Sequence, residues 1–204
     1  MNILIDTKIY RYLSLALLSL LLFGCGGAGG GTEWQLQWKQ SDPPPPALSK
    51  GELAVQEKAL KEAEIQRLER SILEQNAKII YIGDDFMLIL PTDTVFYGKS
   101  PRIKWTSYPL LDMISDYLGA FDKVSVTVAG YTDDEDSEAR NKSLSTVQAQ
   151  SVADYIWSSE SDVRLLNIVG YGSARPISSN ITDEGQLQNR RIEITFRQLH
   201  EYER

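Results

Sequence analysis

The 204-residue chain is poor in the residues that carry most nucleophilic and metal chemistry, with one cysteine and one histidine. A lone cysteine, Cys25, cannot close an intrachain disulfide. The lone histidine, His200, falls in residues 199–204, read as a C-terminal tail. Acidic residues are plentiful, but none matches a nucleophile–base arrangement, so neither an enzyme nor a cofactor is expected. Positive charge is in deficit, with a formal net charge of −7. That deficit removes nucleic acid and anionic lipid surfaces as partners held by general electrostatics. A membrane-length apolar run is missing too. Leu13 to Phe23 is interrupted by Ser14 and Ser19, and it is shorter than the ~20 residues that span a bilayer comfortably.

What that run does fit is an export signal. Lys8 and Arg11 precede it as a basic region, and "LLFGC" closes it at Cys25. Small residues before a cysteine at this place resemble a bacterial lipobox. The resemblance implies cleavage after residue 24 and lipidation of Cys25, the alternative being a buried or free thiol behind an ordinary signal peptide. Gly26 and Gly27 follow, without the aspartate that often retains lipoproteins in the inner membrane, so an outer-membrane position facing the periplasm is expected. Losing residues 1–24 removes Lys8, Arg11 and Asp6, leaving 19 basic and 27 acidic residues and a charge of −8. Membrane contact is then expected through acyl chains.

Residues 25–49 have a linker composition. "CGGAGGG" is flexible and Pro43–Pro46 is a stiff polyproline spacer. Trp34 and Trp38 are unusual there and are candidates for docking on a partner or on lipid headgroups. "SKGE" at Ser49–Glu52 matches a capping box, so residues 50–75 are read as an amphipathic helix packing on the domain or on a partner. Leu53 and Leu60 share one of its faces, and Ile65, Leu68 and Ile72 another.

Residues 76–198 read as one domain of the α/β (α+β) class with a mixed sheet. Strands are expected at 78–83, 86–91, 124–130, 165–172 and 189–197. A helix over 107–121 should bury Leu110, Ile114, Tyr117 and Leu118. A second, over 141–159, should turn Leu144, Val147, Ser151, Val152 and Tyr155 inward.

Four short motifs then follow in order: "GYTD" (130–133), "NKSLSTVQAQSV" (141–152), "IVGYGSARP" (168–176) and "NRRIEI" (189–194). The series resembles the OmpA-like peptidoglycan-binding domain, which runs G-H-T-D, N-x-x-L-S-x-x-R-A-x-x-V, G-x-G-x-x-x-P and N-R-R-V-E-I. The likeness covers about residues 80–198. It implies an OmpA-like mixed sheet with helices packed on it. The implied site grips the diaminopimelate end of a stem peptide, an aspartate meeting its ammonium and an arginine its carboxylate. Carried over, the site residues are Thr132, Asp133, Asn141, Leu144, Gln148, Asn189 and Arg190.

Two positions depart from the pattern. Tyr131 replaces the histidine, and Gln148 the arginine. An amide brings no charge, so a bond of ~1.5–3 kcal/mol falls to ~0.5–1.5. Weak binding is expected unless Arg140 or Arg190 compensates. Plainer readings stay open: Gln148 as a helix-surface residue, Asn141 as an N-cap, Arg190 and Arg191 as alternating strand positions. The run Asp133, Asp134, Glu135, Asp136, Glu138 lacks the order of a calcium loop and reads otherwise as a solvated turn or a contact for a basic partner.

The segment Gly83–Trp105 further resembles the start of the domain in the IcmN/DotK lipoproteins of Dot/Icm type IVB secretion systems. This implies a structural subunit of an outer-membrane core complex, with other secretion-system subunits as partners. The alternative is a general lipoprotein tethering the outer membrane to peptidoglycan.

Overall fold

The computed structural model describes residues 48–121, 123–159 and 163–199. The expected signal peptide, Cys25, nearly all of the expected linker with Trp34 and Trp38, and His200 lie outside the described residues. Helix α1 spans Lys50–Leu73. Its start is the capping box expected from "SKGE": Glu52 N–H donates to Ser49 Oγ at 3.3 Å, and Ser49 N–H to Glu52 Oε2 at 2.8 Å. Only its last turns pack on the domain, where Leu68 and Ile72 are buried, while Leu53 and Leu60 face solvent. Glu69 ties this end down by accepting hydrogen bonds from the hydroxyls of Tyr117, at 2.7 Å, and Tyr81, at 2.9 Å.

Strand β1 (Lys78–Ile82) turns through Gly83 and Asp84 into β2 (Asp85–Pro91). A two-residue hairpin needs positive φ, which Gly83 supplies at +61°. A single helical turn, α2 (Thr92–Val95), follows, then a 3₁₀ turn (Trp105–Ser107) and α3 (Tyr108–Gly119). Then come β3 (Val124–Tyr131), α4 (Glu138–Ser158), β4 (Val163–Gly172), α5 (Asp183–Asn189) and β5 (Arg191–Gln198). The five strands form one mixed sheet in the order β1-β2-β5-β3-β4, antiparallel except for the β3–β4 pair. The α/β class and its mixed sheet are therefore as expected, with α2 and α5 added. Asn189 closes α5 rather than opening the last strand.

The predicted inner face of α3 is correct: Leu110, Ile114, Tyr117 and Leu118 are all buried, with Leu111. They share one core with Val124, Val126 and Val128 of β3 and Ile192, Ile194 and Phe196 of β5. The predicted inner face of α4 needs correction. Of the five residues proposed, Val152 alone is fully buried, and Val147 is exposed. The buried stripe is mostly small or polar: Asn141, Ser145, Gln148, Ala149, Val152, Ala153 and Ile156. The cause lies in the sheet. A Cβ on Gly130 would sit 2.1 Å from the Ser145 carbonyl oxygen, and one on Gly170 2.2 Å from Thr146 Oγ1. Helix and strands approach through these two glycines, so bulky side chains are excluded from the contact.

Candidate functional site

The C-terminal ends of β2 and β3 lie beside the start of β5, because Arg191 is in register with both Pro91 and Tyr131. Three loops thus leave the sheet at one place. Beyond β2 comes Thr92–Asp93, beyond β3 comes Thr132–Asp133, and Arg190 precedes β5. Pairing of β3 with β4 slips at Tyr131, opposite Gly172, whose φ is +56°. Thr132 N–H then bonds the Gly172 carbonyl at 3.0 Å, which directs Asp133 off the sheet. α4 begins shortly afterwards, capped by Ser137, whose hydroxyl accepts from the Arg140 N–H. Asn141 is consequently not the N-cap. It is buried one turn inside the helix, and its amide donates to the carbonyls of Asp133 and Asp136, both at 3.1 Å. The acidic loop is held in shape by that amide.

These elements enclose a cleft of about 310 Å³. Its floor is an ion pair. Asp133, with a side chain only 1% exposed, lies 2.8 Å from Arg190 Nη1, and Arg190 Nη2 reaches Asp93 at 2.9 Å. The Asp133 carboxylate also accepts from the Glu135 N–H at 3.3 Å. Beside it, Thr132 Oγ1 is buried and has no hydrogen-bond partner among the described residues. An unsatisfied buried hydroxyl in a native fold calls for an explanation, and here it borders the cleft.

The rim comes from a strap, residues 97–102, closed by the Phe96–Ile103 bridge. Tyr97 N–H bonds the Arg102 carbonyl at 3.1 Å, Ser100 Oγ donates to the Tyr97 carbonyl at 2.8 Å, and Gly98 takes φ +54°. Gln148 fastens the strap to α4: its Nε2 donates to the Ser100 carbonyl at 3.1 Å. Gln148 is 2% exposed, which excludes the helix-surface reading. From the strap, Lys99 Nζ reaches Asp136 at 2.7 Å and Glu135 at 3.1 Å. The Lys99 ammonium holds the Asp136 carboxyl below its ordinary pKa, and Asp136 in turn raises that of Lys99.

Of the residues singled out from sequence, Thr132, Asp133, Asn141, Leu144, Gln148 and Arg190 all line this cleft. Asn189 does not. It is wholly buried and clamps the loop after β4, accepting from the Ile177 and Ser178 N–H groups at 2.8 and 3.0 Å. Arg140 does not either; it lies on the exposed helix surface, 3.6 Å from Asp136. Arg191 is buried with its guanidinium 3.7 Å from the centre of the Tyr131 ring. Lys99 and Asp93 line the cleft without having been expected to, and Glu135, from the acidic run, lines it as well. Nothing local in the sequence ties "GKS" (98–100) or "PTD" (91–93), which carry Lys99 and Asp93, to Asp133. With three carboxylates and two cations on its walls, the cleft can meet a ligand carrying charges of both signs.

Residues 95–190 match the model of the OmpA family. The chain is 36% identical over 117 residues to the probable lipoprotein YiaD of Escherichia coli, covering 57% of this chain and 53% of that protein. It is 36% identical over 115 residues to the peptidoglycan-binding protein ArfA of Mycobacterium tuberculosis, covering 56% and 31%. The chain thus spans about half of the first relative and a third of the second. The fold matches the cell wall anchor of the T6SS from Pseudomonas aeruginosa with a TM-score of 0.58 at 24% identity, over 66% of this chain and 97% of that one.

Proposed function

We propose that this chain, with its OmpA-like domain, is an outer-membrane lipoprotein that ties the envelope to the cell wall by gripping the diaminopimelate end of a peptidoglycan stem peptide. Cys25 carries the lipid anchor, and the domain works in the periplasm. One observation carries the reading: the buried Asp133 is paired with Arg190 on the floor of a cleft, next to the unpartnered Thr132 hydroxyl. A zwitterion suits such a floor, because its ammonium can add to Asp133 beside Arg190 and leave the buried ion pair in place. Charge-assisted hydrogen bonds are about twice as strong as neutral ones, so selectivity would come mainly from these contacts. The likeness to a protein described as peptidoglycan-binding supports the same ligand class. Retention on isolated sacculi tests it. The natural chain should be retained and Asp133→Ala released; retention indifferent to Asp133 refutes the reading.

A second reading makes the chain a structural subunit of a Dot/Icm type IVB core complex. It draws on the likeness of Gly83–Trp105 and on Gln148, a neutral side chain that holds a strap where an arginine would offer charge. Purification from native membranes should then bring other secretion subunits along. Isolation of the chain alone counts against it.

A further inference from the structure

We infer that Lys99, presented by the strap 97–102, is the cation that receives the ligand's carboxylate, a role that Gln148 cannot fill. This rests on the reading of the cleft as a site for a diaminopimelate-type zwitterion. Two cations line the cleft, Lys99 and Arg190, and their surroundings differ. The Arg190 guanidinium is engaged on both sides, by Asp133 and Asp93, and is 22% exposed. Drawing it towards a ligand would leave the buried Asp133 without its cation. Lys99 is about half exposed, and its partners Glu135 and Asp136 keep contact with water. Exposed pairs of this kind contribute little, so exchanging one carboxylate partner for another is easy for Lys99 and hard for Arg190.

Position supports the same choice. Lys99 is the middle of a strap fixed by its own hydrogen bonds and fastened to α4 at Ser100, the next residue. The side chain that makes this fastening is Gln148. The neutral amide therefore holds the loop on which a cation stands at the cleft, and the charge is delivered from the strap instead of the helix. An ammonium on a flexible stem with three donors can reach a carboxylate over a range of positions.

The test titrates the detergent-solubilised full chain with two stem peptides that differ at one residue. One contains diaminopimelate; the other contains lysine, which keeps the ammonium and lacks the carboxylate. Lys99→Gln should weaken binding of the diaminopimelate peptide about five- to tenfold, the difference between an ionic and a neutral hydrogen bond. It should leave the lysine peptide unaffected, and Lys99→Arg should restore most of the loss. Undiminished binding by Lys99→Gln, or an equal loss on both peptides, overturns the assignment. If Asp133→Ala abolishes binding while Lys99→Gln does not, this inference alone falls. If the natural chain binds neither peptide, or binds regardless of Asp133, the reading of the cleft falls with it.

Discussion

Asp133 and Arg190, 57 residues apart in sequence, meet at 2.8 Å on the floor of the cleft, one carboxylate oxygen to one guanidinium nitrogen. Neither is held by its partner alone, since Arg190 also grips Asp93 at 2.9 Å. On the proposed reading of the cleft, stability and recognition share one set of atoms. Asp133→Ala should destabilise the fold by about 2 kcal/mol, less than the ~3–5 of a buried charge stripped of every partner, because Asp93 remains. Denaturant titration measures this, and the same variant should fail to stay on sacculi.

Gln148→Ala removes the bond that fastens the strap to α4. Losing one hydrogen bond is worth about 0.5–1.5 kcal/mol, so amides 97–104 should exchange roughly two- to tenfold faster. Exchange elsewhere on β3 and β5 should change less. A uniform change across the domain would show that Gln148 acts on the core instead.

The Lys99–Asp136 contact sets a pH dependence whose sign can be worked out. The ammonium lowers the Asp136 pKa, and an isolated aspartate titrates near ~3.9. A depressed carboxyl stabilises the folded state above that value and loses its contribution as pH falls through the lower, folded one. The Lys99 pKa is raised, so the same contact is lost on the alkaline side only above the usual lysine range, ~10.4. Between these limits the strap should be insensitive to pH. Carboxyl NMR titration should place Asp136 below ~3.9 and return it towards that value in Lys99→Gln.

Gly130→Ala forces a methyl group to within 2.1 Å of the Ser145 carbonyl oxygen, which belongs to helix backbone and cannot rotate away. Overpacking costs about 1–3 kcal/mol, and a backbone clash sits at or above the top of that range. A loss of ~3 kcal/mol lowers the melting temperature by about 6–12 °C in a domain of this size. Differential scanning calorimetry reads it directly.

Glu69→Ala leaves the buried Tyr117 hydroxyl without its acceptor. Burial, together with the bond to Glu69, already raises the Tyr117 pKa. The expected loss is about 1–3 kcal/mol. Glu69→Gln keeps an acceptor and should lose less. Thermal denaturation of both variants, followed by far-UV circular dichroism, should show α1 melting ahead of the sheet in the alanine variant.

Large apolar residues at helical spacing made the inner face of α3 legible, because Leu110, Ile114, Tyr117 and Leu118 all enter the core shared with β3 and β5. The same rule misplaced the face of α4. There Gly130 and Gly170 admit the helix so closely that Ser145, Ala149 and Ala153 face inward, and a search for bulky side chains passes over them. Asp133 was legible because its motif is continuous in sequence. Lys99 and Asp93 were not, since their arrival beside Asp133 depends on β2 pairing with β5, some 100 residues later. Gln148 could be recognised as a departure, but its bond to Ser100 could not.

Helix α1 has its last turns docked and its first turns in solvent. From Lys50 to Leu68 it rises ~27 Å, at 1.5 Å per residue. A pull on its N-terminal end is therefore applied through a lever, and the fulcrum is the short stretch from Leu68 to Ile72 with the Glu69–Tyr117 bond. Sideways force would peel that stretch off one contact at a time, whereas force along the axis would load its contacts together. The direction of pull, as much as its size, would then decide how much mechanical load the domain carries before α1 detaches.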